Sequence, residues 1–249
     1  MTLPWLERDT PFPPIESAWG PGSEAPGLLA AGADLSTSRL LDAYKHGIFP
    51  WFSHGQPILW WSTDPRMVLK VNEFHLRHSF VRVLRKFDAA ADCEVRIDSA
   101  FANVIQHCAN TPRAGQAGTW IIEDMQHAYL ALHTAGHAHS VETWMNGRLV
   151  GGLYCVAIGR AVFGESMFTL ASDASKIALA ALVALCRHHN VHWIDCQQNT
   201  RHLASLGAQE IPRKAFATGL LESTAAPSMD WRWNPLYWNA LGFRQARPT

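Results

Sequence analysis

Two apolar stretches of this chain carry polar side chains that a plain core strand would not hold. The first, Ala161-Val162-Phe163-Gly164-Glu165-Ser166-Met167-Phe168, sets one carboxylate among apolar neighbours. Apolar residues fall on both parities around Gly164, which suits a strand covered on both faces. An unpaired carboxylate buried there would cost several kcal/mol. Glu165 is therefore either paired or open to a site that uses its charge. The second stretch, Trp193-Ile194-Asp195-Cys196-Gln197, repeats the pattern with an acid and an amide. Taken singly, Glu165 reads as a strand-end acid at an edge and Asp195 as the cap of a following helix. Two such strands joined through a helix bring Glu165, Asp195 and Gln197 within reach of one cleft.

The elements that must position these groups read clearly from 137 onward. Strands over 140–145 and 148–158 flank Asn146-Gly147, the favoured two-residue hairpin turn. Gly151-Gly152 marks a bulge or a close backbone approach. A turn at Gly159-Arg160 leads into the Glu165 strand, and a helix over 172–189 connects it to the strand at 192–197. A short helix at 201–206 and a strand at 208–211 follow.

Upstream, residues 1–27 are rich in Pro and Gly and are expected to wrap a surface without much regular structure. Ser36 is suited to cap a short helix ending at Gly47. The aromatic-rich runs at 47–53 and 57–62 suit a small domain's core. Trp51, Trp60 and Trp61 beside Tyr44 equally suit platforms for stacked bases. Over 72–87 a spacing of about 100° per residue puts Leu76, Phe80, Val83, Leu84 and Phe87 on one helix face. Arg82, Arg85 and Lys86 gather on the other, with Arg77 near the border. A strand at 93–98, a helix capped by Ser99 and running to Cys108, a polar loop over 109–118, and a helix carrying Met125, Tyr129 and Leu132 complete this part.

The chain's 249 residues suffice for one large domain or two modest ones. Basic and acidic residues balance at 21 each, so any nucleic acid must be held by a local patch. The five cysteines are never spaced as CxxC, which favours a reducing compartment and free thiols over disulfides or a zinc site. His137-x-His139 and His188-His189-x-x-His192 are better read as ordinary hydrogen-bonded or exposed histidines than as metal ligands. No signal-peptide pattern opens the sequence, and the longest apolar run, 177–186, is too short to span a bilayer. A cytoplasmic protein is expected.

Three runs are similar to the bacterial leucyl/phenylalanyl-tRNA–protein transferases: Gly27-Leu28-Leu29-Ala30-Ala31-Gly32-Ala33-Asp34-Leu35, Tyr44-Lys45-His46-Gly47-Ile48-Phe49-Pro50-Trp51-Phe52 and Trp60-Trp61-Ser62-Thr63-Asp64-Pro65-Arg66. Later runs match as well, among them Gly164-Glu165-Ser166-Met167-Phe168, Ala174-Ser175-Lys176, Asp195-Cys196-Gln197 and His202-Leu203-Ala204-Ser205-Leu206-Gly207-Ala208. The resemblance covers roughly 27–213. The tail from 217, with Trp231, Trp233 and Trp238, departs from it and is expected to be packing or disorder.

The resemblance implies an α/β (α+β) architecture. A small N-terminal domain, residues 1–70, would supply aromatics to the tRNA-end site. The larger domain, 71–249, would be an N-acetyltransferase-like acyltransferase with a mixed, mostly antiparallel sheet. The implied activity transfers Leu or Phe, with Met as a third candidate, from aminoacyl-tRNA to proteins beginning with Arg or Lys. That would mark them for N-end-rule degradation, with no cofactor, metal or membrane. Asp195 and Gln197 would orient the attacking amine and assist proton loss, and Glu165 would hold the basic N-terminal residue. The sequence leaves the division of labour among the three open. Leu153, Met167, Leu179 and Ile194 match the apolar cup for the donated side chain, although by themselves they read as core. Tyr44, Trp51, Trp120 and Tyr129 match positions around the terminal adenosine. The basic helix face, with Arg77, Arg82, Arg85 and Lys86, is the candidate for tRNA phosphates.

Two rival functions compete. A coenzyme-A N-acetyltransferase would need a Gly-rich pyrophosphate turn before the long helix. The corresponding Thr169-Leu170-Ala171-Ser172-Asp173-Ala174-Ser175 has no glycine and carries an acid. A non-catalytic RNA- or peptide-binding module would use the aromatics alone.

Overall fold

The computed structural model describes residues 2–111 and 119–243. The chain opens with β1 (Trp5–Leu6) and β2 (Leu28–Gly32), then α1 (Thr37–Lys45), β3 (Phe49–Pro50) and β4 (Leu59–Trp61). The segment expected to hold little regular structure contributes only the short β1, which adds to β2 in parallel, and a 3₁₀ turn at Ile15–Ser17. Ser36 caps α1 by accepting from the Arg39 N–H, and Gly47 ends it in the left-handed region at φ 72°. These strands form a small sheet in the order β1-β2-β4-β3.

Next come β5 (Arg66–Lys70), α2 (His78–Ala89), β6 (Cys93–Ile97), α3 (Phe101–Asn110) and α4 (Glu123–Thr134). The helix expected over 72–87 begins later. Residues 71–73 form a 3₁₀ turn, and Phe80, Leu84 and Phe87 carry the buried face of α2. Ser99 does not cap α3. The buried carboxylate of Glu142 does so instead, accepting from the Ala100 N–H at 2.8 Å and from the Ser99 hydroxyl. Of the loop expected over 109–118, Ala109 and Asn110 end α3, and 112–118 lie outside the described residues.

The remainder is β7 (Ala138–Met145), β8 (Arg148–Ile158), β9 (Ala161–Thr169), α5 (Ala174–His188), β10 (Trp193–Gln197), α6 (Arg201–Ser205), β11 (Gln209–Ile211) and α7 (Arg213–Ala225). Asn146 and Gly147, at φ 52° and 68°, make the hairpin turn between β7 and β8. The register slips between Thr143 and Trp144, and Gly151 sits against the start of α5. A Cβ at Gly151 would lie 2.5 Å from the Ala174 Cβ, so only glycine lets α5 settle on the sheet.

The described strands of the large sheet run β11-β5-β10-β9-β8-β7-β6. All neighbours are antiparallel except β9 and β10, giving a mixed, mostly antiparallel α/β architecture. β5 lies between β10 and β11, so residues 66–70 belong to this sheet rather than to the N-terminal side of a boundary at 70. The apolar core is also continuous across that boundary. Tyr44, Ile48 and Trp60 share one cluster with Phe163, Tyr129 and Phe216.

The described part of the tail, to residue 243, packs against the core. Phe216 and Leu220 of α7 enter the core, and Trp238 on a 3₁₀ turn is 2% exposed. Arg187 donates to the Ala240 carbonyl and Arg85 to that of Phe243, tying the tail to α5 and α2. No described helix is long and apolar enough to cross a membrane.

Candidate active site

The site lies where the parallel pair of described strands in the large sheet parts. β9 and β10 are paired at Val162–Ile194 and Phe163–Asp195 and no further. Beyond that point β9 stays with β8, and β10 stays with β5, where Gln197 pairs with Met67. Each strand carries a bulge at the fork. Gly164 pairs with Cys155 and Ser166 with Tyr154, leaving Glu165 as the extra residue of β9. Asp195 pairs with Val68 and Gln197 with Met67, leaving Cys196 as the extra residue of β10. A bulge re-aims a side chain that regular pleating would send elsewhere. Here it turns Glu165 and Gln197 toward each other, with Gln197 Nε2 donating to Glu165 Oε1 at 3.2 Å. Val162 and Phe163 are buried, whereas 164–167 are only half-buried, so the gap reaches the surface.

Glu165 is held by oxygen donors. The Tyr44 hydroxyl donates to Oε1 at 2.8 Å, and the Tyr129 hydroxyl lies 3.1 Å from Oε2. The two hydroxyls are 2.5 Å apart. Three oxygen contacts thus close a ring, and each contact needs one proton. The two phenols supply two protons, and burial holds both well above the ordinary tyrosine range. The third is available only while Glu165 carries its own proton. Desolvation favours that proton, pushing Glu165 up to about 7 against the lowering effect of the tyrosine hydrogen bonds.

Asp195 sits deeper, 1% exposed, in a bidentate ion pair with Arg66. Arg66 Nε donates to Oδ1 at 2.8 Å and Nη2 to Oδ2 at 2.6 Å. The Gln197 backbone N–H also donates to Oδ1, at 2.9 Å, and holds Gln197 in the left-handed region at φ 54°. Both carboxylate oxygens are therefore engaged, and the side chain is almost wholly buried. Asp195 and Gln197, expected to share the orienting of an amine and the assistance of its proton loss, are joined through this backbone contact. Asp195 thereby fixes the backbone that aims Gln197.

Other site expectations divide sharply. Tyr44 and Tyr129 are 0% exposed, packed against Phe163 and Tyr154, so neither ring offers a face to a base. They reach the site through their hydroxyls. Trp60 is likewise buried, its indole donating to the Gly32 carbonyl. Trp51, set edge-on to Trp61 at 5.3 Å, and Trp120 are half-buried. Leu153, Leu179 and Ile194 are 3%, 4% and 2% exposed within the core, and Met167 alone of the apolar four reaches the surface. Arg82, Arg85 and Lys86 are exposed on α2. Arg77 stands apart, lining a cavity of about 270 Å³ with His75, Lys176, His202 and Asp173.

The histidine pairs make no metal-holding group among the described residues. His139 bonds Asp98 at 2.7 Å and stacks on Trp231, and His188 stacks on Tyr237. Arg66, the deepest charge of the site, was not singled out by sequence. The available signal was a lone arginine opening the apolar run Met67-Val68-Leu69, which needs a buried acid as partner.

Residues 68–221 match the family described as leucyl/phenylalanyl-tRNA protein transferase, and 33–64 match that family's N-terminal domain. The leucyl/phenylalanyl-tRNA–protein transferase of Polaromonas sp. is 58% identical over 239 residues, 96% of this chain and 94% of its own. That of Albidiferax ferrireducens is 59% identical over the same shares, and that of Leptothrix cholodnii 58% over 97% and 96%. Among solved structures, a GCN5-related N-acetyltransferase from Kribbella flavida superposes at a TM-score of 0.30 with 12% identity. That overlap covers 68% of this chain and 59% of the other, too loose to add to the topology above. On its sequence relatives, matched along nearly their whole length, this chain belongs to the leucyl/phenylalanyl-tRNA–protein transferases, a family of aminoacyl-tRNA-dependent enzymes.

Proposed function

We propose that the fork between β9 and β10 joins Leu or Phe, with Met as a third donor, from aminoacyl-tRNA to proteins beginning with Arg or Lys. The product would be marked for degradation by its new N-terminal residue. The α-amine nitrogen attacks the ester carbonyl, the new C–N bond forms, and the C–O bond to the terminal ribose breaks. The amine's proton passes to the departing ribose oxygen. With an amine pKa of about 7.7–8.0, little deprotonation is needed, so juxtaposing two bound substrates supplies most of the acceleration.

The observation that carries this reading is the Glu165–Gln197 contact at the mouth of the parted strands. Gln197 uses its amide N–H on Glu165, which leaves its carbonyl to accept from the attacking amine and orient it. Glu165 holds the cationic side chain of the acceptor through charge-assisted hydrogen bonds, releasing its proton as that cation arrives. Asp195 works from behind through Gln197. Met167, unbranched and half-exposed, swings to admit the donated side chain over Leu153, Leu179 and Ile194. Trp51 and Trp120 stack the terminal adenosine, at about 1–3 kcal/mol per base, and Tyr44 and Tyr129 tie that region to Glu165. The basic face of α2 meets phosphates.

The acetyltransferase reading is disfavoured by Asp173 at the start of α5, where a pyrophosphate would have to lie. The deciding experiment mixes the protein with charged Leu-tRNA and with peptides that begin with Arg or Ala, read by mass. A leucine mass added to the Arg peptide alone is expected. Binding without product would leave only a binding module, and equal products on both peptides would remove Glu165's assigned role.

A further inference from the structure

We infer that Arg66 is a positioning residue that sets both arms of the site at once, a role that rests on the function proposed above. Every nitrogen of its guanidinium is committed. Nε and Nη2 grip Asp195, which in turn fixes the Gln197 backbone. Nη1 donates to the Gly47 carbonyl at 3.0 Å. Gly47 is the turn that ends α1, and its own N–H donates to the Tyr44 carbonyl at 3.1 Å. Tyr44 then reaches Glu165 with its hydroxyl. One buried plane therefore links the β10 arm, through Asp195 to Gln197, with the α1 arm, through Gly47 and Tyr44 to Glu165.

The plane itself is clamped. Phe49 of β3 and Phe216 of α7 lie over the guanidinium at 4.8 and 4.7 Å, and Arg66 is 0% exposed. The orientation of the two arms is thus set jointly by the small N-terminal sheet, the large sheet and the C-terminal helix. Lysine keeps the charge but has neither the plane nor the fork, so it cannot hold two acceptors at a fixed angle.

The test is a double-mutant cycle between Arg66→Lys and Gln197→Ala, run on the full-length protein with Leu-tRNA and an Arg-initiated peptide. Arg66→Lys alone should lower kcat by about 100-fold, the scale of a misplacement near 1 Å, with KM for Leu-tRNA unchanged. In the Gln197→Ala background the same change should cost kcat no more than about threefold. KM for the Arg peptide, which reports the Glu165 arm, should still rise in that background. A loss of kcat by the same factor in both backgrounds would mean general destabilisation and would overturn the assignment. Should Arg66→Lys fail to fold, Phe216→Leu replaces it in the same cycle. It removes one face of the clamp and leaves the ion pair's atoms in place, and additive losses would again overturn the inference. Absence of leucylated product with the unaltered protein would instead overturn the functional reading, whatever the cycle gives.

Discussion

Glu165 should make the protein less stable as the pH rises from about 4.5 to about 7. The unfolded carboxyl ionises near 4.5 and the folded one near 7, because burial disfavours its charge. Between those values the native state holds a proton that the unfolded chain has already lost. Raising the pH therefore favours unfolding, by up to about 1.4 kcal/mol per pH unit. Across the full shift the loss sums to about 3 kcal/mol. That figure is a ceiling, since Glu165 is only half-buried and its exposed part is screened by solvent. Glu165→Gln keeps the shape and removes the titration. Urea unfolding of both proteins at steps between pH 4.5 and 8 gives a difference from which the 13 histidines cancel. The variant should gain on the parent through the window and level off above it. A flat difference, or one of opposite slope, would refute both the proton count in the tyrosine ring and the burial argument. Under the proposed function, KM for an Arg-initiated peptide should fall over the same window as Glu165 ionises.

Other outcomes follow from the same geometry. Asp195→Ala strands the Arg66 charge in a dry site, a loss of about 3–5 kcal/mol, read by calorimetry as a Tm lower by about 10 °C. Gln197→Ala should slow transfer by about 100-fold while Leu-tRNA binding holds, and an equal loss in binding would reject its orienting role. Replacing Arg82, Arg85 and Lys86 by Gln should flatten the log–log salt dependence of tRNA binding by about 2–3, and an unchanged slope would free this face of phosphate contact. Trp238→Ala should cost about 3–5 kcal/mol in urea unfolding, and a negligible change would show that the tail does not seal the core.

The sequence by itself determined what was local. Period-two alternation around Asn146-Gly147 specified the central hairpin, and Ser36 and Gly47 bounded α1. An acid in each of two apolar strands marked Glu165 and Asp195, because burying charge is costly wherever the strand ends up. The compositional runs specified the family. Tertiary structure decided what depends on partners distant in the chain. Nothing near Ser99 says that Glu142, 43 residues on, takes over the cap of α3. Nothing near Tyr44 says that its ring is buried and that only its hydroxyl reaches the site. The two bulges that turn Glu165 and Gln197 together are set by the pairing of β9 with β8 and of β10 with β5, which no local pattern specifies. Arg66 shows the divide best, since an arginine's place is set by its acid, and Asp195 lies 129 residues away.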